Sequence, residues 1–417
     1  MRNSTKAKVI FLTAAAVFIF FLVFLPMIDI KLPSFADFLA NFSVSDDRTP
    51  TTATETAKNN TPNVADTIPA ETDDPNPYNI APPSPPLEGI YYDGEFELPV
   101  NGATGYASVD IYVTESPYNY ANRVAALQAG SAFMIILEQG DWWQIATDGI
   151  SGWVQHAFCM INLPDVVPSI IYDNTNAYSS KFISSGRNIP NITGEALYSS
   201  RTYNERLGKH EFIMPVLYST AKRVCAAQRI AMANGDTLVM YEAFRPYGVQ
   251  MQIVKELTAL SNADTDVRRG ISASPWNITW FIATGVSNHQ RGYAVDAGLA
   301  KAVQTAEEVT GNYIYVQVTE STLYTMPTPI HELSSASAIY TRPVDINSLT
   351  AWRNATYSQS MRENKPAQDL QRYFTEAGFT PLASEWWHFN DLHTLRAITR
   401  YSNGNYETTV CLSAAPE

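Results

Sequence analysis

Six histidines occur in the 417-residue chain, and two of them stand near carboxylates at spacings that suit metal chemistry. In Ser287-Asn288-His289-Gln290-Arg291-Gly292-Tyr293-Ala294-Val295-Asp296 an imidazole precedes a carboxylate by seven positions. In Glu385-Trp386-Trp387-His388-Phe389 a carboxylate precedes an imidazole by three. A catalytic zinc takes three nitrogen or oxygen ligands from the protein and keeps a fourth position for water. His289, Asp296 and His388 make up such a set. Bound zinc lowers the pKa of water to about 7 and polarises a carbonyl. Glu385, three residues from a ligand, is then free to act as general base and later as proton donor to a leaving amine. Gly292 lets the backbone turn tightly between the first two ligands. The bland alternative is a scatter of structural residues, which leaves two motifs with matching roles to coincidence.

A third element lies upstream, Tyr241-Glu242-Ala243-Phe244-Arg245-Pro246. Arg245 falls at the end of an expected strand, before a chain-turning proline. A guanidinium fixed there stabilises the oxyanion of a tetrahedral intermediate. On its own, a strand-end arginine is usually a surface salt-bridge partner.

Together, SxHxxGxAxD, then ExWH, with an upstream Phe-Arg-Pro, resemble the zinc D-Ala-D-Ala dipeptidases, which include enzymes of vancomycin resistance. The resemblance runs from Tyr241 to Phe389 and takes in Met326-Pro327-Thr328-Pro329 and Glu376-Ala377-Gly378-Phe379. The Glu-Trp-Trp-His-Phe form is nearer the dipeptidases than the related D,D-carboxypeptidases, where a proline often follows the glutamate. The resemblance implies that His289, Asp296 and His388 bind Zn2+, that Glu385 is the catalytic base and that Arg245 steadies the transition state. It implies a substrate contact at Ser287. The family also carries Phe-Asp shortly after the methionine, and that aspartate helps hold the substrate ammonium. Here the matching stretch is Ile330-His331, with Glu332 next as the substitute substrate-binding carboxylate.

The elements that must position these residues are legible in part. Pro215 is expected to open a helix carrying Leu217, Ala221, Val224 and Cys225 at helical spacing, with Gly235 as its stop. Thr237 to Phe244 reads as a strand. Pro366 is expected to open another helix with Leu370, Tyr373, Phe374 and Ala377 on one face. Gly378 closes it and Pro381 lies just beyond. These features predict an α+β domain over 166–417, with a small antiparallel sheet and flanking helices, and the resemblance implies that it is a zinc peptidase domain.

Three further segments precede it. Over 89–165, short apolar stretches alternate with turn residues and predict a small all-β barrel. Ala129-Gly130, Gly140-Asp141-Trp142-Trp143 and Gly152-Trp153-Val154 resemble a bacterial SH3-like domain, a family that often binds cell-wall peptide. A spacer barrel with core tryptophans is the alternative. Over 31–88, Thr, Pro, Asn, Asp and Ala dominate and predict a disordered linker. Over 1–30, Arg2, Lys6 and Lys8 precede an apolar run from Val9 to Ile28, long enough for a transmembrane helix. Its charge asymmetry predicts a single-pass cell-membrane anchor and an extracytoplasmic remainder. A cleaved signal peptide is the competing reading.

The net charge of −13 argues against nucleic acid and against an anionic membrane surface as main partners. The three cysteines, Cys159, Cys225 and Cys411, form no CxxC pair, which excludes a disulfide-rich scaffold and a cysteine zinc knuckle. One disulfide would leave one thiol over, and Cys225 reads as helix core. The expected function is zinc-dependent hydrolysis of D-Ala-D-Ala or a closely related peptide in cell-wall metabolism. The alternatives are a D,D-carboxypeptidase or other murein peptidase trimming stem peptides, and a non-catalytic peptidoglycan-binding protein.

Overall fold

The computed structural model describes residues 87–173, 182–192, 203–210, 213–397 and 405–417. The expected anchor over 1–30, and the expected linker except for residues 87 and 88, lie outside these residues. Among the described residues, no helix is long and apolar enough to cross a membrane.

Short apolar strands separated by turn residues build the first sheet. Its strands are β1 (Thr104–Ala107), β2 (Ile111–Thr114), β3 (Arg123–Leu127), β4 (Ala132–Gln139), β5 (Trp142–Thr147), β6 (Ile150–Gln155) and β7 (Cys159–Asn162). Gly130 (φ 89°) and Gly140 (φ 56°) take left-handed conformations at two of the turns, where a side chain would be strained. An eighth strand, β8 (Pro215–Leu217), joins from far along the chain and pairs antiparallel with β7. The order is β8-β7-β1-β4-β5-β6-β2-β3, antiparallel throughout. Trp143, Phe133, Ile135, Ile145 and Val154 fill its interior.

The strand β8 corrects the expectation that Pro215 opens a helix. Pro215 lies at the first residue of a strand, where its missing N–H is tolerated, and the ladder to β7 holds Val216 and Leu217 extended. Helix α1 therefore begins at Tyr218 and runs to Ala233. Gly235 (φ 79°) ends it as expected. Cys225 is buried on its inner face, and all three cysteines are free thiols.

The second sheet positions the candidate site. Its main strands are β9 (Asp236–Glu242), β10 (Ala294–Thr310), β11 (Tyr313–Leu323) and β12 (His388–Asn390). β10 pairs antiparallel with β9, β11 and β12. The short strands Ile90–Tyr91 and Ile171–Tyr172 add parallel edges, and Thr380–Pro381 pairs with β12. The sheet thus has seven strands and mixed directions, larger and less uniform than the small antiparallel one expected. Helix α2 (Tyr247–Ala263) follows β9, and α3 (Thr265–Ser272) follows α2. Helix α4 (Lys365–Glu376) is capped by the Asn364 side chain on the Ala367 N–H, with Pro366 in its first turn. Leu370, Tyr373 and Phe374 are buried, as their spacing predicts.

The two sheets and the helices belong to one mixed α+β unit, within the compact segment 82–417. The strand alternation of β12 ties core to site. Phe389 points into the core and stacks on Phe374 at 4.1 Å, while its neighbours His388 and Asn390 lie on the opposite face. Burying a phenylalanine contributes roughly 1.5–3 kcal/mol, so this packing fixes where the adjacent imidazole stands. The terminal segment 405–417 returns to the first sheet, with Thr409 N–H bonded to Gly130 O (2.9 Å) and Ala414 N–H to Gly102 O (2.8 Å).

Candidate metal centre

Three neighbouring strands place one row of polar side chains on the same sheet face. Glu242 of β9 pairs with Asp296 of β10, and Asp296 pairs with His388 of β12. The tight turn before β10 adds the fourth member. Gly292 N–H bonds His289 O (3.0 Å) and Tyr293 N–H bonds Asn288 O (3.2 Å). Gly292 has φ 80°, the left-handed turn expected there. This turn brings His289 back over Asp296.

The result is a buried group of His289, Asp296 and His388 that could hold a metal ion. His289 Nε2 lies 3.2 Å from His388 Nδ1 and 3.4 Å from Asp296 Oδ1. His388 Nδ1 lies 2.9 Å from the same Oδ1. The second nitrogen of each imidazole is already committed. His289 Nδ1 bonds Ala243 O (2.7 Å), a carbonyl that can only accept, so Nδ1 carries the proton and Nε2 presents a lone pair. His388 Nε2 lies 3.1 Å from Asn390 Oδ1, which also accepts from Asn288 Nδ2 (2.7 Å). That oxygen therefore takes the Nε2 proton and leaves the Nδ1 lone pair facing Asp296. Three potential donor atoms thus converge in a buried space, a set that could hold a metal ion.

Burial and neighbouring charges set the protonation of the group. Burial pushes the His289 pKa down, which keeps the imidazole neutral. Burial would raise the Asp296 pKa, but the imidazoles of His289, His331 and His388 hold it well below the usual carboxylate range. Burial opposes charging His388, yet the hydrogen bond and charge of Asp296 outweigh that and raise its pKa, so a proton between Nδ1 and Oδ1 competes for the place a cation would take. Burial pushes Glu385 up to about 8, although His388 and Arg245 pull it down. A cation bound nearby would lower it again. Glu385 Oε2 lies 3.8 Å from His388 Nδ1, beside the group but outside it.

Arg245 is buried, so the surface salt-bridge alternative does not apply. Its Nε donates to Glu242 Oε1 (2.8 Å), its Nη1 to Gln250 Oε1 (2.8 Å) and its Nη2 to Glu242 Oε2 and Asp296 Oδ2, the last at 3.4 Å. Glu242, Asp296 and His331 form a second group close enough for a metal. The Arg245 guanidinium already neutralises that group, so the first set is the better metal site.

The group opens into a cavity of about 420 Å³. Phe182, Trp280, Ile282, Leu333, Ile346 and Trp387 give it an apolar wall, and Arg245, Ser287, His289, Glu385 and His388 all reach it. Ser287 Oγ accepts from Gln290 N–H (3.2 Å) and braces the His289 turn. Glu332 is placed differently. Its carboxylate accepts from the backbone N–H groups of Ser185 and Gly186, and it is not among the residues of the cavity wall. Trp386 is buried and donates to Thr328 Oγ1 (2.9 Å).

Glu242, Asn390, Phe182 and His331 also stand at this site, although the motifs give them no role there. Asn390 has a local signal, since strand alternation puts it on the face of His388. Glu242 is two residues from a buried strand position, but its partner Asp296 comes from pairing between strands. His331 and Phe182 arrive by tertiary contact, and nothing in their spacing announces them. No protein-family model matches the chain, and no match is found among curated proteins.

Proposed function

We propose that this chain is a zinc-dependent peptidase of the D-Ala-D-Ala dipeptidase type, acting on short peptides of cell-wall metabolism. The observation that carries the proposal is the convergence of His289 Nε2, Asp296 Oδ1 and His388 Nδ1 at 2.9–3.4 Å from one another. Ligands held about 2.0–2.1 Å from a zinc ion at tetrahedral angles lie about 3.3 Å apart, so two imidazoles and a carboxylate at this spacing suit zinc. A zinc ion held by these residues supplies Lewis-acid polarisation of the scissile carbonyl and acidifies water to a pKa of about 7.

The chain's own residues do the rest. Glu385, protruding into the cavity beside His388, takes a proton from the attacking water on its carboxylate and returns it to the leaving amine. Arg245, anchored by Glu242 and Gln250, keeps a fixed positive charge at the cavity wall for the developing oxyanion. The apolar wall excludes water and suits small alkyl side chains. In this proposal the catalytic unit is extracytoplasmic. The apolar run Val9 to Ile28 anchors it, the linker tethers it, and the first sheet is an SH3-like module that engages peptidoglycan.

One observation favours a second reading, a D,D-carboxypeptidase acting on stem peptides. A free dipeptide brings an ammonium group, whereas the stem peptide offers a neutral amide at that position. Among the described residues of the cavity wall Glu385 is the one carboxylate, and Glu332 is turned to the backbone of Ser185 and Gly186. Metal analysis and product analysis of the fragment after the linker, offered D-Ala-D-Ala and a stem pentapeptide, test both. One zinc per chain with dipeptide cleavage supports the dipeptidase. Zinc with release of alanine from the pentapeptide alone supports the carboxypeptidase. A zinc-free, inert protein that binds peptidoglycan would overturn both.

A further inference from the structure

Asp296 presents Oδ1 to His289 and His388, and its other oxygen is held from behind by two donors. His331 Nε2 lies 3.1 Å from Oδ2 and Arg245 Nη2 lies 3.4 Å from it. His331 Nε2 is also 3.9 Å from Glu242 Oε2. Both neighbours are carboxylate oxygens, so this nitrogen carries its proton and donates. One ring carries both donors. Phe182 stacks on His331 at 4.4 Å with 11° between planes, and the Arg245 guanidinium sits 5.3 Å over the same ring.

Much else fixes His331. It is fully buried, and Trp387 meets it edge-on at 5.9 Å. Its backbone carbonyl accepts from Ile183 N–H (3.1 Å), next to Phe182. Its φ is 58°, a left-handed conformation that a non-glycine residue keeps only when its surroundings demand it.

We propose that His331, carried on the Phe182 ring, is a positioning residue that locks Asp296 through Oδ2 so that Oδ1 alone faces the metal. This holds for a chain that binds metal through His289, Asp296 and His388, and so it rests on the function proposed above. The reason is geometric. A carboxylate free to rotate presents either oxygen or both, and each swing costs the site its spacing. Partners behind a ligating carboxylate typically change metal affinity 10- to 100-fold when removed.

The test is zinc affinity of the metal-stripped protein, measured by chelator competition for wild type, His331→Phe and His331→Gln. Phenylalanine keeps the stack on Phe182 and loses the donor. Glutamine keeps an N–H near the Nε2 position and loses the stack. His331→Phe should bind zinc about 10- to 100-fold more weakly, and His331→Gln should recover most of the loss. Equal zinc affinity of wild type and His331→Phe would overturn the proposal and leave the metal site standing. Equal weakening in both variants would also overturn it, since it reports packing alone. A wild type that binds no zinc would overturn the metal site and this proposal together. If His331→Phe fails to fold by near-ultraviolet circular dichroism, His331→Leu, which also lacks the donor, replaces it, with weaker zinc binding expected and wild-type binding the overturning result.

Discussion

Asp296 and His388 occupy directly paired positions on adjacent antiparallel strands, and their Oδ1 and Nδ1 atoms lie 2.9 Å apart. Side chains so paired share one sheet face. The strand ladder itself therefore presets two of the three candidate ligands, and the His289 turn supplies the third.

This arrangement separates ligand from base. His388→Ala should strip the metal, read as zinc per chain after dialysis. Glu385→Gln should retain zinc and lose about 10²- to 10⁴-fold in kcat. Metal loss in the glutamine variant, or full zinc content in the alanine variant, would contradict the assigned roles.

Arg245 bridges two buried carboxylates, so its removal acts on stability as well as on rate. Arg245→Ala leaves Glu242 buried without its partner and should cost about 3–5 kcal/mol in urea unfolding. Arg245→Lys keeps the charge but not the fork to Glu242 Oε1 and Oε2. It should restore part of the stability and less of kcat. Unfolding midpoints unchanged in both variants would show that the guanidinium is not what balances Glu242.

Glu97 should give the fold a pH dependence of its own. Burial pushes its carboxyl up to about 7 from 4.5, against two hydrogen bonds from Ser169 and the nearby charge of Arg229. Below pH 4.5 folded and unfolded chains both hold the proton, and nothing is lost. As pH rises through the window to about 7, the unfolded chain releases it first, so stability falls. The full shift corresponds to roughly 3 kcal/mol, reduced because the side chain keeps partial exposure. Glu97→Gln should flatten the urea midpoint between pH 5 and pH 8, and an unchanged slope would refute the assignment.

The segment 405–417 should act as a structural strap. Added side chains at Gly102 and Gly130 would run into the Ala414 and Glu407 carbonyls, and both glycines have left-handed φ. Gly130→Ala should cost about 1–3 kcal/mol. The strap also reaches the metal centre, because Tyr406 OH donates to Gln290 O (3.1 Å), next to His289. Ending the chain before Asn405 should therefore lower the melting temperature and weaken metal binding. A truncated protein with wild-type melting and zinc affinity would refute both effects.

What the sequence determined by itself is what depends on near neighbours. Gly292 announced the turn that follows His289, because only its missing side chain makes a left-handed φ free of strain. Pro366 and Gly378 marked the limits of α4, because openers and stops act on orphan backbone groups within one helical turn. The set of His289, Asp296 and His388 was readable as three candidate ligands in two motifs. Other features belong to the tertiary structure alone. Pro215 reads as a helix opener until β7 offers a strand partner. Taken without its motif partners, Arg245 reads as a surface salt-bridge residue until Glu242, Gln250 and Asp296 close around it. Glu332 reads as a pocket carboxylate until the Ser185 and Gly186 amides claim it, and His331 reads as a departure until it stands behind Asp296. In each case the deciding partner is distant in sequence or supplied by a chain fold that residue spacing does not encode. Strand register and buried charge pairing settle such contacts, and both exist only once the chain has closed on itself.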